Sequence, residues 1–130
     1  TTKFLAIYVP IYRCTVLLTW ETTVDEIIKQ CKKRGVKQDE KWKKEFLEFY
    51  ENAAGITMKL GEPGNTDSLV WLKKRPAKAS EYAVLYHELY HATDNILIDH
   101  NMRDEREAAA HIYEFLSFRA NQYFWGFPKR

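Results

Sequence analysis

Apolar residues recur at helical spacing in residues 81–100. Steps of four, three and four residues separate the members of one face: Leu85, Leu89, Ala92 and Ile96. This spacing predicts an α-helix that packs one face against a core. Ser80 is a good N-cap residue, so we expect the helix to begin beside it.

Strand-like patterns occupy the N-terminal segment of the chain. Phe4–Val9 is a continuous apolar run, and Pro10 marks a bend after it. Residues 12–20 then alternate between two sets, Tyr12, Cys14, Val16, Leu18 and Trp20 against Arg13, Thr15, Leu17 and Thr19. Period-two alternation predicts a second strand with one buried face.

Two amphipathic helices are predicted next. Thr23 and Glu26 form a capping box at the start of the first helix, which Gly35 ends. Its apolar face is Val24, Ile27, Ile28 and Cys31. The second helix follows Asp39 and stops at Gly55, with the apolar face Trp42, Phe46, Phe49, Tyr50 and Ala53.

A hairpin and a last long helix complete the predicted elements. Residues 56–60 and 69–73 read as short strands joined by the turn-rich segment 61–65. Asp104 is expected to cap a helix that reaches about Tyr123. The fold class is therefore α+β, with a small, largely antiparallel sheet packed against helices.

Composition limits what this domain can be. The 130 residues suit a single domain, and 45% hydrophobic content is typical of a globular protein. A net charge of +2 gives no global reason to expect nucleic acid or an anionic membrane. Neither a signal peptide nor a membrane-spanning run is visible, and Cys14 and Cys31 lie on apolar stripes as free thiols. We therefore expect a soluble cytoplasmic protein.

Positive charge is densest on the first two predicted helices. Its carriers are Lys29, Lys32, Lys33, Arg34, Lys37, Lys41, Lys43 and Lys44. A charge cluster on amphipathic helices is usually the solvated face, which is the reading we favour. Docking of an acidic partner on this surface is the alternative.

The helix at residues 81–100 also carries the pattern H-E-x-x-H. His87 and His91 are four residues apart, so their imidazoles project from one side of the helix, one turn from each other. Two neutral imidazoles in this position can share one Zn²⁺ at about 2.0–2.1 Å each. Glu88 lies about 100° further round and can reach a metal-bound water as general base. The pattern predicts a zinc site.

Zinc in a catalytic site needs a third protein ligand. The candidates are His100, Glu105, Glu107 and His111. Glu105 and Glu107 are about 200° apart on a helix, so at most one faces the metal. The inward stripe of the last helix is Ala109, Ile112, Leu116, Ala120 and Tyr123. Glu105 continues this stripe one turn upstream, whereas His111 is expected at the surface and His100 in a loop.

Glu107 has two features that argue for another role. It shares the predicted outer side of the helix with Glu114 and Asn121. It can also form a capping box with Asp104. We therefore expect Glu105 to be the third ligand and keep Glu107 as the alternative.

Neighbouring side chains can support the metal chemistry. Asp94, one turn beyond His91, can accept a ring N–H of a ligating histidine, although an exposed helix aspartate is an equally good reading. The tetrahedral oxyanion of a hydrolysis needs a further donor besides the metal. The available phenols are Tyr82, Tyr86, Tyr90 and Tyr113, and the sequence does not choose among them.

HELYH followed by DEREAAAHIYEFL resembles the gluzincin class of metallopeptidases. It is similar to small single-domain zincins of phages and mobile elements and, more loosely, to ImmA/IrrE-type proteases. The helix pattern of that group, E-x-E-A followed by paired leucines, is matched by Glu105, Glu107, Ala108, Phe115 and Leu116. The metzincin pattern is absent, since positions 94 and 97 hold Asp and Leu.

The resemblance implies a zincin-like fold and a defined activity. Zn²⁺ would be held by His87, His91 and Glu105, and Glu88 would be the general base in hydrolysis of a protein or peptide substrate. Two other classes of function remain open. In one, the chain is a binding protein of a phage or mobile element, and zinc only holds two of its helices together. In the other, a metal-free zincin fold binds a partner through its lysine-rich helices.

Overall fold

A computed structural model describes residues 2–126 of the chain. The elements in order are β1 (Phe4–Val9), β2 (Cys14–Trp20), α1 (Val24–Lys33), α2 (Glu40–Tyr50), β3 (Gly55–Lys59), β4 (Ser68–Leu72), α3 (Ala79–Asp99) and α4 (Arg106–Trp125). A short 3-10 turn, Pro10–Tyr12, joins the first two strands, as expected from Pro10. The predicted α+β class is confirmed.

The four strands form one mixed sheet in the order β1-β2-β4-β3. β1 and β2 are antiparallel, and so are β3 and β4, which confirms the predicted hairpin. β2 and β4 are parallel, so the chain must cross over between them, and α1, α2 and β3 make up that crossover. β3 consequently lies at the edge of the sheet.

Helices cover both faces of the sheet. α3 and α4 pack on one face around a core that includes Val16, Leu18, Leu85 and Leu116. α1 and α2 cover the other face around Leu17, Ile27, Phe46 and Trp71. The prediction that β2 has a single buried face is wrong because Leu17 and Thr19 are as buried as their neighbours.

The first two helices begin as expected. Thr23 and Glu26 form a reciprocal capping box on α1. The Asp39 side chain caps α2 by accepting a hydrogen bond from the Trp42 N–H. Two details differ from expectation: Phe49 is 59% exposed, and Gly55 begins β3 instead of stopping the helix.

The last two helices form where the periodicity places them, but their starts differ. The predicted inner face of α3 is fully buried. α3 begins at Ala79, with Lys78 rather than Ser80 as its N-cap residue. α4 has Glu105 as its N-cap residue, so the predicted Asp104 cap is wrong, and no side-chain capping bond is present there.

Both cysteines are buried free thiols, as expected. Burial raises the pKa of Cys14 and of Cys31 to about 11 in each case. Within residues 2–126, each helix is too short or too polar to pass through a bilayer.

Candidate metal centre

Side chains on the histidine-bearing turns of α3 alternate between the protein core and the solvent. Leu85 and Leu89 are fully buried against the sheet, whereas His87 and His91 are exposed on the opposite side. The helical repeat causes this separation, since residues two apart differ by about 200° around the axis. The burial of the leucines therefore fixes the imidazoles in a solvent-facing position.

The two imidazoles converge through the same ring nitrogen. Nε2 of His87 lies 3.1 Å from Nε2 of His91. Two nitrogens bound tetrahedrally to one zinc ion at about 2.0–2.1 Å lie about 3.3–3.4 Å apart. Two lone pairs at this distance repel unless a proton or a cation lies between them. The pair therefore has the chemistry and nearly the spacing of two ligands of one zinc ion.

Glu88 points away from the solvent, towards the edge of the sheet. It is 7% exposed, and its Oε1 accepts a 2.7 Å hydrogen bond from the Thr57 hydroxyl of β3. Gly55 makes room for it, because a Cβ at that position would lie 2.7 Å from Glu88 Cγ. The carboxylate is thus lodged between α3 and β3.

Alternation along β3 explains how the strand can receive a carboxylate. Gly55, Thr57 and Lys59 share the face towards α3, while Ile56 and Met58 pack into the opposite core. Lys59 Nζ forms an ion pair with the Asp99 carboxylate at the end of α3. β3 therefore contacts α3 at three positions: the space beside Gly55, the Thr57 hydroxyl and the Lys59 ammonium. Sequence reasoning missed Thr57, although period two from Ile56 was the signal for its position.

The structure does not bring a third ligand to the histidines. In the part of the chain it describes, no three His, Cys, Asp or Glu side chains are grouped closely enough to hold a metal. Glu105 is exposed outside the helix, so the prediction that it faces the core is wrong. Its carbonyl oxygen accepts the N–H of Ala109, a residue that lines the groove beside His87.

Glu107 and Asn121 do not share the outer side of α4, contrary to prediction. Asn121, which was placed on the outer side with Glu107, faces α3 and accepts a 2.7 Å hydrogen bond from the Tyr86 hydroxyl. Glu107 itself is exposed and lies 3.5 Å from His111 Nε2 in an i,i+4 pair. The choice of Glu105 over Glu107 therefore stays a prediction.

The remaining candidates lie elsewhere. His111 is at the surface, as expected. His100 is the C-cap residue of α3, where its ring packs edge-on against Tyr12 and its Nδ1 lies 2.9 Å from the Ile96 carbonyl oxygen. Asp94 is half-buried, and its carboxylate has no hydrogen bond to His87 or His91 within residues 2–126.

An open groove between α3 and α4 reaches the histidine pair. Its volume is about 420 Å³, and His87 forms part of its rim. Three of the tyrosines named as possible oxyanion donors line it: Tyr86, Tyr90 and Tyr113. Burial raises the pKa of Tyr113 above its ordinary value.

The lysine-rich cluster is solvated, as the favoured reading predicts. Seven of its eight cations are exposed, and Lys43 is half-buried with Nζ 3.4 Å from Asp25 Oδ1. An exposed pair of this kind contributes about 0–1 kcal/mol to stability. An acidic partner for this surface stays a prediction.

Comparisons with protein-family models, with curated proteins and with solved structures found no match to the chain. Function must therefore be argued from the geometry of this site.

Proposed function

We propose that the protein is a zinc-dependent metallopeptidase with a zincin-like fold. His87 and His91 bind Zn²⁺, Glu105 supplies the third ligand, and Glu88 is the general base. The observation that supports this proposal most strongly is the 3.1 Å separation of the two Nε2 atoms, with Glu88 on the intervening turn of α3. Two imidazoles and a carboxylate in this order are the ligands and the base that metal-assisted hydrolysis needs.

The chain's own residues divide the work of hydrolysis. Bound zinc would lower the pKa of a water towards about 7 and polarise the scissile carbonyl. Glu88 then takes the proton from the attacking water and passes it to the leaving nitrogen. Thr57 holds Oε1 of Glu88, which leaves Oε2 to accept that proton. A carboxylate fixed in one rotamer loses less entropy on reaching the reactive geometry.

The position of β3 supports the peptidase assignment. β3 pairs with β4 on one side, and its other edge presents main-chain N–H and C=O groups, of which the Lys59 carbonyl already accepts a 2.8 Å hydrogen bond from the Trp42 indole N–H. An extended peptide can add to such an edge through main-chain hydrogen bonds that do not depend on its sequence. Glu88 contacts β3 directly, so a peptide on this edge would lie close to the general base.

One observation favours a second candidate, a binding or assembly protein with a structural zinc or an inactive zincin fold. Neither Glu105 nor Glu107 is grouped with the histidines among residues 2–126. In a structural zinc site, residues of a binding partner would take the coordination position that a water occupies in an enzyme. Glu88 would then have no water to activate, and its hydrogen bond with Thr57 would have no catalytic role. Hydrolysis separates the two candidates.

The decisive experiment compares zinc-loaded wild type with Glu88→Gln on a mixture of fluorogenic peptides. We expect the variant to keep its fold and its zinc and to lose hydrolysis by about 100-fold or more, because amide oxygen cannot serve as the base. Glu114→Gln, an exposed change on α4, is the matched control and should leave the rate unchanged. Full activity in Glu88→Gln, or none in wild type with zinc bound, contradicts the proposal.

A further inference from the structure

Two neighbouring depressions lie along α3 between its N-terminus and the histidine pair, and we treat them as two sections of one groove. The section at the N-terminus has a volume of about 860 Å³, and the section beside His87 has about 420 Å³. The two sections are adjacent, because Ala83 and Tyr86 line both of them. A ligand longer than one side chain can therefore occupy both.

The section beside His87 suits a large apolar side chain. Ala109 and Ala110 of α4 leave the space open because their side chains are single methyl groups. Tyr90 and Tyr113 flank it, with ring centroids 6.2 Å apart in an edge-to-face arrangement. Phenyl and aliphatic side chains are the groups that bury the most apolar surface in such surroundings.

The far section combines aromatic walls with two cations. Tyr82, Phe124 and Trp125 form the walls, and Arg75 and Lys78 lie at the end. Within residues 2–126, neither the Arg75 guanidinium nor the Lys78 ammonium forms an ion pair with a carboxylate. A carboxylate is the group that two such cations would bind.

Arg75 is held in place before any ligand arrives. Its guanidinium carbon lies 5.2 Å from the ring centroid of Phe124, 5.6 Å from that of Tyr123 and 5.7 Å from that of Trp20. Cation–π contacts at these distances restrict the side chain without neutralising its charge. Its main-chain N–H donates to Glu21 Oε2 and further fixes the loop. The positive charge is therefore preorganised at the end of the groove.

Helix geometry sets the length of ligand that the groove accepts. Lys78 and His87 are nine residues apart along α3, which corresponds to about 13–14 Å at 1.5 Å per residue. An extended peptide advances about 3.3 Å per residue, so about four residues cover this distance.

We propose that this groove selects the substrate: a peptide with a large apolar side chain next to the cleaved bond and a carboxylate about four residues away, bound by Arg75 and Lys78. The position of the cleaved bond rests on the proposed function. The choice of the groove rests on its positive charge, which complements a carboxylate, and on the lining residues that it shares with the section beside His87. The carboxylate can belong to an Asp or Glu side chain or to the C-terminus of the substrate.

The experiment uses two measurements on two sets of peptides. Labelled peptides carry Phe or Ala beside the central bond, and Glu or Gln four residues from it. A second set ends four residues from the bond with a free or an amidated C-terminus. Cleavage by zinc-loaded wild type gives kcat/KM, and fluorescence anisotropy with zinc-loaded Glu88→Gln gives Kd without turnover. We expect Phe with a carboxylate to be preferred by about tenfold or more in both.

Two variants and their two controls locate the effect in the groove. Lys78→Gln should weaken the preference for the carboxylate about two- to fivefold, the range of an exposed ion pair. Lys74→Gln is its control, since Lys74 belongs to the same loop but lines a separate depression. Ala83→Leu should fill the junction of the two sections and weaken binding about tenfold, whereas Ala83→Ser should leave it open.

The outcomes separate this proposal from the proposed function. Selective binding without cleavage supports the groove and contradicts the peptidase assignment. Cleavage with equal rates for all peptides, unchanged by Lys78→Gln and Ala83→Leu, overturns the groove and leaves the peptidase standing. Failure to bind or cleave any peptide overturns both. If only the free C-terminus raises affinity, the carboxylate is the substrate's C-terminus; if only Glu does, it is a side chain.

Discussion

Gly55→Ala tests whether Glu88 is held between α3 and β3. A Cβ added to Gly55 would lie 2.7 Å from Glu88 Cγ and 2.9 Å from Val84 Cγ1. Neither atom is the free end of a long side chain, and Thr57 restrains Glu88 further. Forcing a methyl group into such packing costs about 1–3 kcal/mol. Alanine also restricts the unfolded chain, which returns about 0.4–1 kcal/mol.

The net expectation is a loss of about 0.5–2 kcal/mol in the free energy of unfolding, or about 2–10 °C in Tm. Urea denaturation followed by far-UV circular dichroism measures it. The same change made in a Glu88→Ala background should cost less, because Cγ is then absent, while the contact with Val84 remains. Equal effects in both backgrounds, or no loss in wild type, would refute the packing of Glu88 against β3.

Three further predictions follow from the site and the core. Cys14 and Cys31 should resist a thiol reagent at pH 8 in the folded protein and react with it in urea. Burial raises their pKa values to about 11, and the reactive thiolate forms only as the pH rises through that range. Rapid reaction in the folded state would contradict their burial. Glu105→Ala should lower zinc affinity about tenfold or more in a competition titration, while Glu107→Ala should leave it unchanged. The reverse result would make Glu107, and not Glu105, the third ligand. Thr57→Val should lower kcat with little change in KM, and Thr57→Ser should restore it, since only the hydroxyl holds Glu88; equal rates in all three proteins would exclude a positioning role.

The helices were predictable because their patterns are local. The α3 stripe of Leu85, Leu89, Ala92 and Ile96 reports burial directly at a period of 3.6 residues. The helix caps are local too: Thr23 forms a capping box with Glu26, and Asp39 accepts a hydrogen bond from the Trp42 N–H. Asp104 shows the limit, because two acidic residues in succession offer alternative starts and the chain uses Glu105.

The sheet was harder to predict because its pairing is not local. Nothing near β2 indicates that it pairs in parallel with β4, about fifty residues later in the chain. Leu17 and Thr19 were read as the outer face because alternation within β2 does not show that α1 and α2 cover that side of the sheet. Two helices cover each face of the sheet, so β2 is buried on both faces although its sequence alternates.

The histidine pair followed from spacing, whereas its surroundings did not. A separation of four residues on a helix is enough to bring His87 and His91 together. The hydrogen bond from Thr57 to Glu88 depends on how the hairpin docks on α3, which no local pattern contains. The same is true of the third ligand, because the connector before α4 sets where Glu105 and Glu107 lie.

A zinc titration of the purified protein shows whether His87 and His91 bind the metal. Isothermal titration calorimetry of wild type should give one zinc per chain, and His87→Ala or His91→Ala should each weaken binding about 100-fold or more. His111→Ala, which removes an exposed histidine on α4, should leave the affinity unchanged. The account is contradicted if wild type binds no zinc, or if His111→Ala weakens binding as much as His87→Ala does.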